Sequence, residues 1–131
     1  MARRDQVAVR SGADAAQVKR AGRRDRERLE QEATDLRSIV GTQQGRRVLW
    51  RLLVKLGLKD SCYDPDPIRM AALNGARESA LWMESEINAV SDTAMAEMRR
   101  ESLLREKNDA VEEQAMQTES ATANAEAGED E

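Results

Sequence analysis

The sequence predicts an all-α protein: a small helical bundle or hairpin with a long charged N-terminal helix and a disordered acidic tail. Of its 131 residues, 35% are charged and only 2% are aromatic, and phenylalanine is absent. A core of this composition must be built from Leu, Val, Ile, Met and Ala, which suit helices better than sheets. So few large apolar residues predict a thin core, which favours a partner surface or self-association.

Composition excludes several classes of function. The chain has no histidine, so histidine-based acid–base catalysis, Ser-His-Asp and Cys-His arrangements, and histidine metal ligands are excluded. Cys62 is the single cysteine, so an intrachain disulfide or a cysteine-rich zinc site cannot form. The N-terminus lacks the apolar region of a signal peptide, and the apolar runs are too short to span a membrane. We therefore expect a non-enzymatic protein with no metal or cofactor and no integral membrane segment, made in the cytoplasm.

Charge is unevenly distributed along the chain. Residues 1–60 carry 15 Lys and Arg against 8 Asp and Glu, whereas residues 61–131 carry 6 against 17. The first part is therefore basic and the second strongly acidic. Such a chain can pair head to tail with copies of itself, or hold nucleic acid with one end while the other end repels it.

The N-terminal region is predicted as a loose basic arm over residues 1–12 and a first helix over residues 13–40. The helical region contains no proline and many good helix formers. Apolar residues recur at spacings of four, three and four between Leu29 and Val40, which gives a narrow apolar seam. The residues of the preceding turns are nearly all charged, which indicates a solvated helix or a helix that becomes ordered when it binds a partner.

The second helix is predicted over residues 43–56, with Gly41 ending the first helix, Thr42 as N-cap and Gly57 as the closing residue. It contains the densest stretch of the chain, GRRVLWRLL, with five large apolar residues and three arginines. Its broad apolar face comprises Val48, Leu49, Leu52, Leu53 and Leu56, and Trp50 and Val54 extend that face. We expect this helix to form the core and Leu52→Asp to prevent folding and assembly, because Leu52 lies on the face predicted to be most buried.

The third helix is predicted over residues 67–90. Asp66 followed by Pro67 is a strong start signal, because aspartate caps the helix and proline fits its first position. A regular apolar seam follows at Leu73, Ala76, Ala80, Met83, Ile87 and Val90. A second face combines small residues with Trp82, which implies at least two neighbours, one of which can come from another subunit.

A fourth helix is predicted over residues 92–107 or longer, capped by Ser91 or Asp92. Its apolar stripe is weak. After Lys107 the chain has eight acidic residues and no basic one. Residues 108–131 are therefore predicted as an acidic, flexible tail, and residues 13–107 as the helical domain.

Two groups of side chains are candidates for partner contact. The predicted core or interface residues are Val48, Leu49, Trp50, Leu52, Leu53, Leu56, Leu73, Ala76, Trp82, Met83 and Ile87. Candidates for contact with DNA or an acidic partner are Arg20, Arg23, Arg24, Arg46, Arg47 and Arg51. The alternative for these arginines is a role as solvated flanks of the helices. Because the basic residues do not share one face and no aromatic residue lies among them, any nucleic-acid contact would not read sequence.

A distinctive pattern runs from GRRVLWRLL to NGARESALWMESEI: a Gly-Arg pair, an apolar helix with tryptophan, a glycine, a loop, and a Gly-x-Arg that leads a second apolar helix. It resembles a family of small structural proteins of short-tailed bacteriophages, named after a gene product of a Bordetella podophage. The matching residues are Gly45, Arg46, Val48, Leu49, Trp50, Leu52, Leu53, Gly57, Gly75, Arg77 and Leu81. The resemblance covers residues 36–105. It departs from the family pattern after Gly57, where an aromatic residue is expected and Leu58-Lys59 stands.

The resemblance implies a virion protein of the portal–tail vertex rather than an enzyme. It further implies a homo-oligomer, expected as a ring of roughly twelve copies that follows portal symmetry, in contact with portal, adaptor or tail proteins. Ejection into the host with the DNA, and delivery to the bacterial periplasm, are compatible with this role. The alternative is a transient scaffolding or DNA-packaging accessory protein that is absent from the mature particle. A third possibility is a nucleic-acid-binding module unrelated to phages.

Overall fold

The computed structural model describes residues 2–128, with side chains described for residues 12–128. In this range the chain forms four helices and no strand. They are α1 (Ala2–Val40), α2 (Gln43–Lys55), α3 (Pro67–Val90) and α4 (Ala94–Gly128). The all-α prediction is confirmed, and α2 and α3 have almost the predicted bounds.

The turn between α1 and α2 forms as its sequence predicts. Gly41 ends α1, and its N–H donates to the carbonyl oxygen of Arg37 at 3.0 Å. Thr42 has an extended backbone and caps α2, because its hydroxyl accepts a hydrogen bond from the N–H of Gly45 at 3.0 Å. This bond satisfies one of the N–H groups that the first helical turn leaves without a partner.

Helix α2 ends in a Schellman motif at Gly57. The φ angle of Gly57 is 88°, a left-handed conformation that glycine adopts without a Cβ penalty. The N–H of Gly57 donates to Val54 and the N–H of Leu58 donates to Leu53, which pairs the last carbonyl groups of the helix. Leu58 is thereby held in the position where it packs against the core.

Helices α3 and α4 begin at side-chain caps. The Asp66 carboxylate accepts from the N–H of Ile68 at 3.0 Å, and Pro67 occupies the first turn, as predicted. Ser91 ends α3, and its hydroxyl accepts from the N–H of Ala94 at 3.2 Å, where α4 starts. Ser91 therefore helps to cap the start of α4, where the sequence predicts Ser91 or Asp92 as the capping residue.

Both ends of the chain differ from the predicted loose arm and flexible tail. The structure continues α1 back to Ala2 and α4 forward to Gly128. The reason is local, because both segments lack proline and are rich in strong helix formers, so nothing interrupts the helix. Residue 1 of the predicted arm and residues 129–131 of the predicted tail lie outside the described part of the chain.

The core lies where the short helix α2 is packed against the other three helices. Leu53 and Ile87 are fully buried, and Met98 is nearly so. Among the residues with described side chains, the buried apolar set is Val40, Leu49, Trp50, Leu53, Ala80, Ile87, Ala94, Met95 and Met98. The core is as small as the composition predicts and contains one aromatic side chain.

The buried face of α2 is rotated from the predicted one. Val48 and Leu52 are 58% and 49% exposed, so the prediction that Leu52 lies on the most buried face is wrong. Leu49, Trp50 and Leu53 face the core instead. The reason is that Arg46 lies on the inner side of α2, where Glu101 of α4 pairs with it. With Arg46 on that side, Trp50 is buried and Val48 and Leu52 are exposed.

The predicted seam of α3 is largely confirmed. Ala80 and Ile87 are buried, and Ala76, Met83 and Val90 are half-buried. Leu73 is 44% exposed, because α3 is longer than α2 and its first turns extend past the packed region.

Candidate functional site

An ion-pair cluster centred on Arg46 joins the helices at one side of the core. Arg46 donates from Nε and Nη2 to Oε1 of Glu101, at 3.0 and 2.7 Å. Its Nη1 donates to the carbonyl oxygen of Val40 at 2.9 Å, at the end of α1. Glu97 lies 3.5 Å from Nε, one turn before Glu101 on α4. One guanidinium thus connects the end of α1, the start of α2 and the first turns of α4.

The cluster is largely shielded from solvent, because the side chains of Arg46 and Glu101 are 14% and 13% exposed. The hydrogen bond from Arg46 lowers the pKa of Glu101 below its ordinary value, although burial opposes that shift. The same bond raises the pKa of Arg46. Both groups are therefore held in their charged forms, as expected for a charge-assisted pair with several hydrogen bonds.

Arg46 is one of the residues that the sequence predicts to contact DNA or an acidic partner. Its guanidinium points inward to Glu101 rather than outward to DNA or an acidic partner. Arg47 and Arg51, by contrast, are exposed on the outer side of α2. The acidic group that Arg46 contacts belongs to its own chain.

Gly45 allows the start of α2 to approach the end of α1 closely. A Cβ atom at this position would collide with the carbonyl oxygen of Ile39 and lie 2.8 Å from its carbonyl carbon. It would also lie 2.8 Å from the hydroxyl oxygen of the capping Thr42. The Gly-Arg pair therefore has a structural explanation, since the glycine permits the approach and the arginine ties the two helices to α4.

We expect Gly45→Ala to lower the free energy of unfolding by about 1–3 kcal/mol, because backbone atoms must move to admit the methyl group. Gly75→Ala is the matched control. A Cβ on Gly75 meets nothing within 4 Å, so this change should stabilise α3 by about 1 kcal/mol through helix propensity. Urea unfolding of both variants measures the difference, and equal effects of the two changes would contradict the close approach.

Several apolar side chains lie on the surface of a single copy. On α2, Val48 and Leu52 lie beside Arg51 and Lys55 around a shallow depression. On α3, Trp82 is 60% exposed. Four predicted core or interface residues are therefore outside the core of one copy: Val48, Leu52, Leu73 and Trp82. Exposed apolar groups of this size on a small protein mark candidate contact surfaces.

The remaining predicted basic residues lie along the exposed part of α1. Arg20, Arg23 and Arg24 are all exposed. Arg23 forms an ion pair with Glu27 at 3.8 Å, but both side chains are more than two-thirds exposed, so this pair adds little stability. The described part of α1 therefore presents cations to solvent between Lys19 and Arg28.

Two features were not found from the sequence. The partners Glu97 and Glu101 could have been suspected, because Arg46 lies three, four and seven positions before the buried residues of α2 and must share their face. The second feature is the environment of Arg77, whose Nη1 lies 4.0 Å from Sγ of Cys62. Its Nε is buried and has no hydrogen-bond partner among the described residues.

Among the described residues, no three His, Cys, Asp or Glu side chains lie together in a way that could hold a metal ion. Within the same range, no helix combines the length and the apolar character needed to cross a bilayer.

The family model of the Bbp19-like phage proteins matches residues 36–100. The matched segment starts in the last turns of α1, contains all of α2 and α3, and ends just before Glu101. No curated protein and no solved structure matches the chain. The family match confirms the resemblance carried by the Gly-Arg and Gly-x-Arg patterns.

Proposed function

We propose, for a chain whose residues 36–100 match the family model of the Bbp19-like phage proteins, a role as a structural component of the portal–tail complex. The family match supports a bacteriophage protein. The proposal adds the location at the portal–tail vertex, several copies per particle and contact with portal, adaptor or tail proteins. It assigns no catalytic role and no cofactor to the chain.

The observation that carries the proposal is the set of large apolar side chains left exposed on one copy. Trp82 is 60% exposed and Val48 is 58% exposed, although only nine apolar residues are buried in the part of the chain whose side chains are described. A chain with so small a core gains stability when these groups are covered by other protein surfaces. A multi-copy assembly in a particle supplies such surfaces.

The architecture also supports a role in assembly. The buried apolar residues lie on α2, at the end of α1, in the second half of α3 and in the first turns of α4. Residues 106–128 of α4, by contrast, are all exposed. Long exposed helices that extend from a small core can reach neighbouring subunits. They can also contact DNA at the vertex through the exposed cations of α1.

Quantitative mass spectrometry of purified particles tests the proposal, with the major capsid protein as the internal standard. We expect several copies per full particle, in a fixed ratio to the portal protein. The same measurement on particles that have released their DNA separates a retained component, present equally in both, from an ejected one, lost from emptied particles. Absence from full particles together with presence in assembly intermediates would overturn the proposal and favour a scaffolding or packaging role.

A further inference from the structure

The outer side of α2 combines apolar side chains with positive charge and has no negative charge. Val48, Leu52 and Val54 line a shallow depression together with Arg51 and Lys55. All five side chains are exposed. The sequence of α2 contains no aspartate and no glutamate. The group that complements this surface is therefore an apolar side chain bordered by carboxylates.

The charges of this depression are not neutralised within one copy. Among the residues with described side chains, Arg51 and Lys55 form no ion pair. A nucleic-acid backbone could neutralise both cations, but it would leave Val48 and Leu52 without an apolar partner. Exposed apolar side chains beside the cations favour a protein surface as the occupant.

Met116 on α4 has the complementary surroundings. It is 61% exposed. Glu112 and Glu113 precede it by four and three positions and Glu119 follows it by three, so these carboxylates are its neighbours on the helix surface. From residue 108 to residue 128, α4 has five carboxylates and no cation, and all of its residues are exposed. Met116 is therefore an exposed apolar side chain surrounded by negative charge.

Met116 lies far along α4 from the core of its own copy. Ser102 is the last buried residue of α4, and Met116 follows it by fourteen positions, or roughly 20 Å of helix. Met116 and the depression on α2 are both exposed, so they do not cover one another within one copy. Met116 is thus available to a surface of another chain.

We infer that Met116 of one copy packs into the depression on α2 of a second copy, where Glu112 and Glu119 pair with Arg51 and Lys55. This inference rests on the multi-copy part of the proposed function and names a contact that joins the copies. The two surfaces have opposite charge, and neither contains a charge of the other sign. Methionine suits such a contact, because its flexible side chain adapts to irregular apolar surfaces.

Each copy has one Met116 and one depression, so the contact joins two different surfaces. Two copies can exchange the contact reciprocally in a closed dimer. Otherwise the copies follow one another head to tail in a ring or a filament, depending on the rotation between them. Each contact is small and its charges lie at the surface, so assembly should depend on protein concentration and weaken with salt.

Charge reversal of the full-length chain tests the inference by sedimentation velocity. The α2-reversed variant is Arg51→Glu with Lys55→Glu, and the α4-reversed variant is Glu112→Lys with Glu119→Lys. We expect the unchanged chain to form oligomers and each variant alone to sediment as the 14.6 kDa monomer. An equimolar mixture of the two variants should assemble again, because each α2 surface then meets an α4 surface of opposite charge.

A change without charge tests the apolar part of the contact. Met116→Gln keeps the length of the side chain but replaces its thioether with an amide. We expect the concentration at half-assembly to rise about tenfold or more, because the buried apolar group is lost. Val111→Thr is the control, since Val111 is 65% exposed and lies about 140° around α4 from Met116. It should assemble like the unchanged chain.

Two further controls separate this pairing from a general effect of charge. Arg20→Glu with Arg24→Glu reverses two exposed cations of α1 that have the same four-residue spacing as the pair on α2. Glu78→Lys with Glu86→Lys reverses the carboxylates one turn before and one turn after Trp82, the exposed aromatic side chain of α3. Both controls should assemble like the unchanged chain. Far-ultraviolet circular dichroism should show the same helical content for all variants, because every substituted side chain is exposed.

The overturning outcomes distinguish this contact from its alternatives. Oligomers that persist in both reversed variants would overturn the contact while leaving a multi-copy role intact. Loss of assembly in the Trp82 control would move the contact to α3, and loss in the α1 control would assign the effect to overall charge. An unchanged chain that stays monomeric at all concentrations would also overturn the contact, even if its α2 cations then bound duplex DNA. The proposed function itself fails only in the particle measurement, when the protein is absent from full particles.

Discussion

Leu53→Asp is expected to abolish cooperative unfolding and to leave the core unpacked. Leu53 is fully buried on α2, where it meets the centre of the apolar cluster. An unpaired carboxylate at such a site must be desolvated or protonated, at a cost of several kcal/mol. Because small domains are stable by only about 5–15 kcal/mol, a loss of this size in so small a core is expected to remove the folded state.

Leu52→Asp is the matched control, since it makes the same change one position away. Leu52 is 49% exposed, so its substitution should change the free energy of unfolding by less than about 1 kcal/mol. Urea unfolding followed by tryptophan fluorescence is the suitable measurement, because Trp50 is buried and reports on the core. Equal loss of the transition in both variants would mean that the buried face of α2 had been assigned wrongly.

The sequence predicts the helix ends correctly where a capping residue and the groups it contacts lie within a few positions of one another. Thr42, Gly57 and Asp66 cap helices through hydrogen bonds or backbone angles that involve residues only a few positions away. Such signals are complete within a short stretch of sequence. The outer ends of α1 and α4 were placed less well, because composition alone does not separate a charged helix from an irregular arm.

The orientation of α2 could not be predicted from its own residues. Val48, Leu49, Leu52 and Leu53 form a plausible apolar face, and the choice of Trp50 in place of Val48 and Leu52 depends on what packs against the helix. The deciding contact joins Arg46 to Glu101, which lies 55 positions further along the chain. A polar group on the inner side of α2 requires such a partner, and the periodicity of α2 alone does not identify Glu101 as that partner.

The Gly-Arg pair can be recognised in the sequence, but the contacts of its two residues cannot be predicted from the sequence. Residues 45 and 46 were recognised as part of a family pattern, and the arginine was interpreted as a candidate contact for phosphate or an acidic partner. The structure shows that the two residues act together at the junction of α1, α2 and α4. The matched segment therefore contains both residues of the pair, whereas Glu101, the partner of Arg46, lies just beyond its end.

Arg46→Ala is expected to lower the free energy of unfolding by about 2–4 kcal/mol, because it leaves the carboxylate of Glu101 buried without its partner. It also removes the donor to the carbonyl oxygen of Val40, at the end of α1. Arg47→Ala is the control, since Arg47 is the neighbouring arginine and is exposed, and its effect should stay within about 0.5 kcal/mol. An equally small effect of both changes would show that the cluster contributes little to the junction.

The same variant should change how stability depends on pH. Because Arg46 lowers the pKa of Glu101 in the folded protein, the folded state binds fewer protons than the unfolded chain at mildly acidic pH. The stabilisation by the pair is thus fully present above the ordinary glutamate pKa, about 4.3, and is lost as the pH falls through that value to the lowered one. Urea unfolding between about pH 7 and about pH 3 should show the difference between the unchanged chain and Arg46→Ala shrinking with acidification. A difference that is constant over this range would assign the loss to packing of the arginine stem rather than to its charge, and would remove Glu101 from the account of the junction.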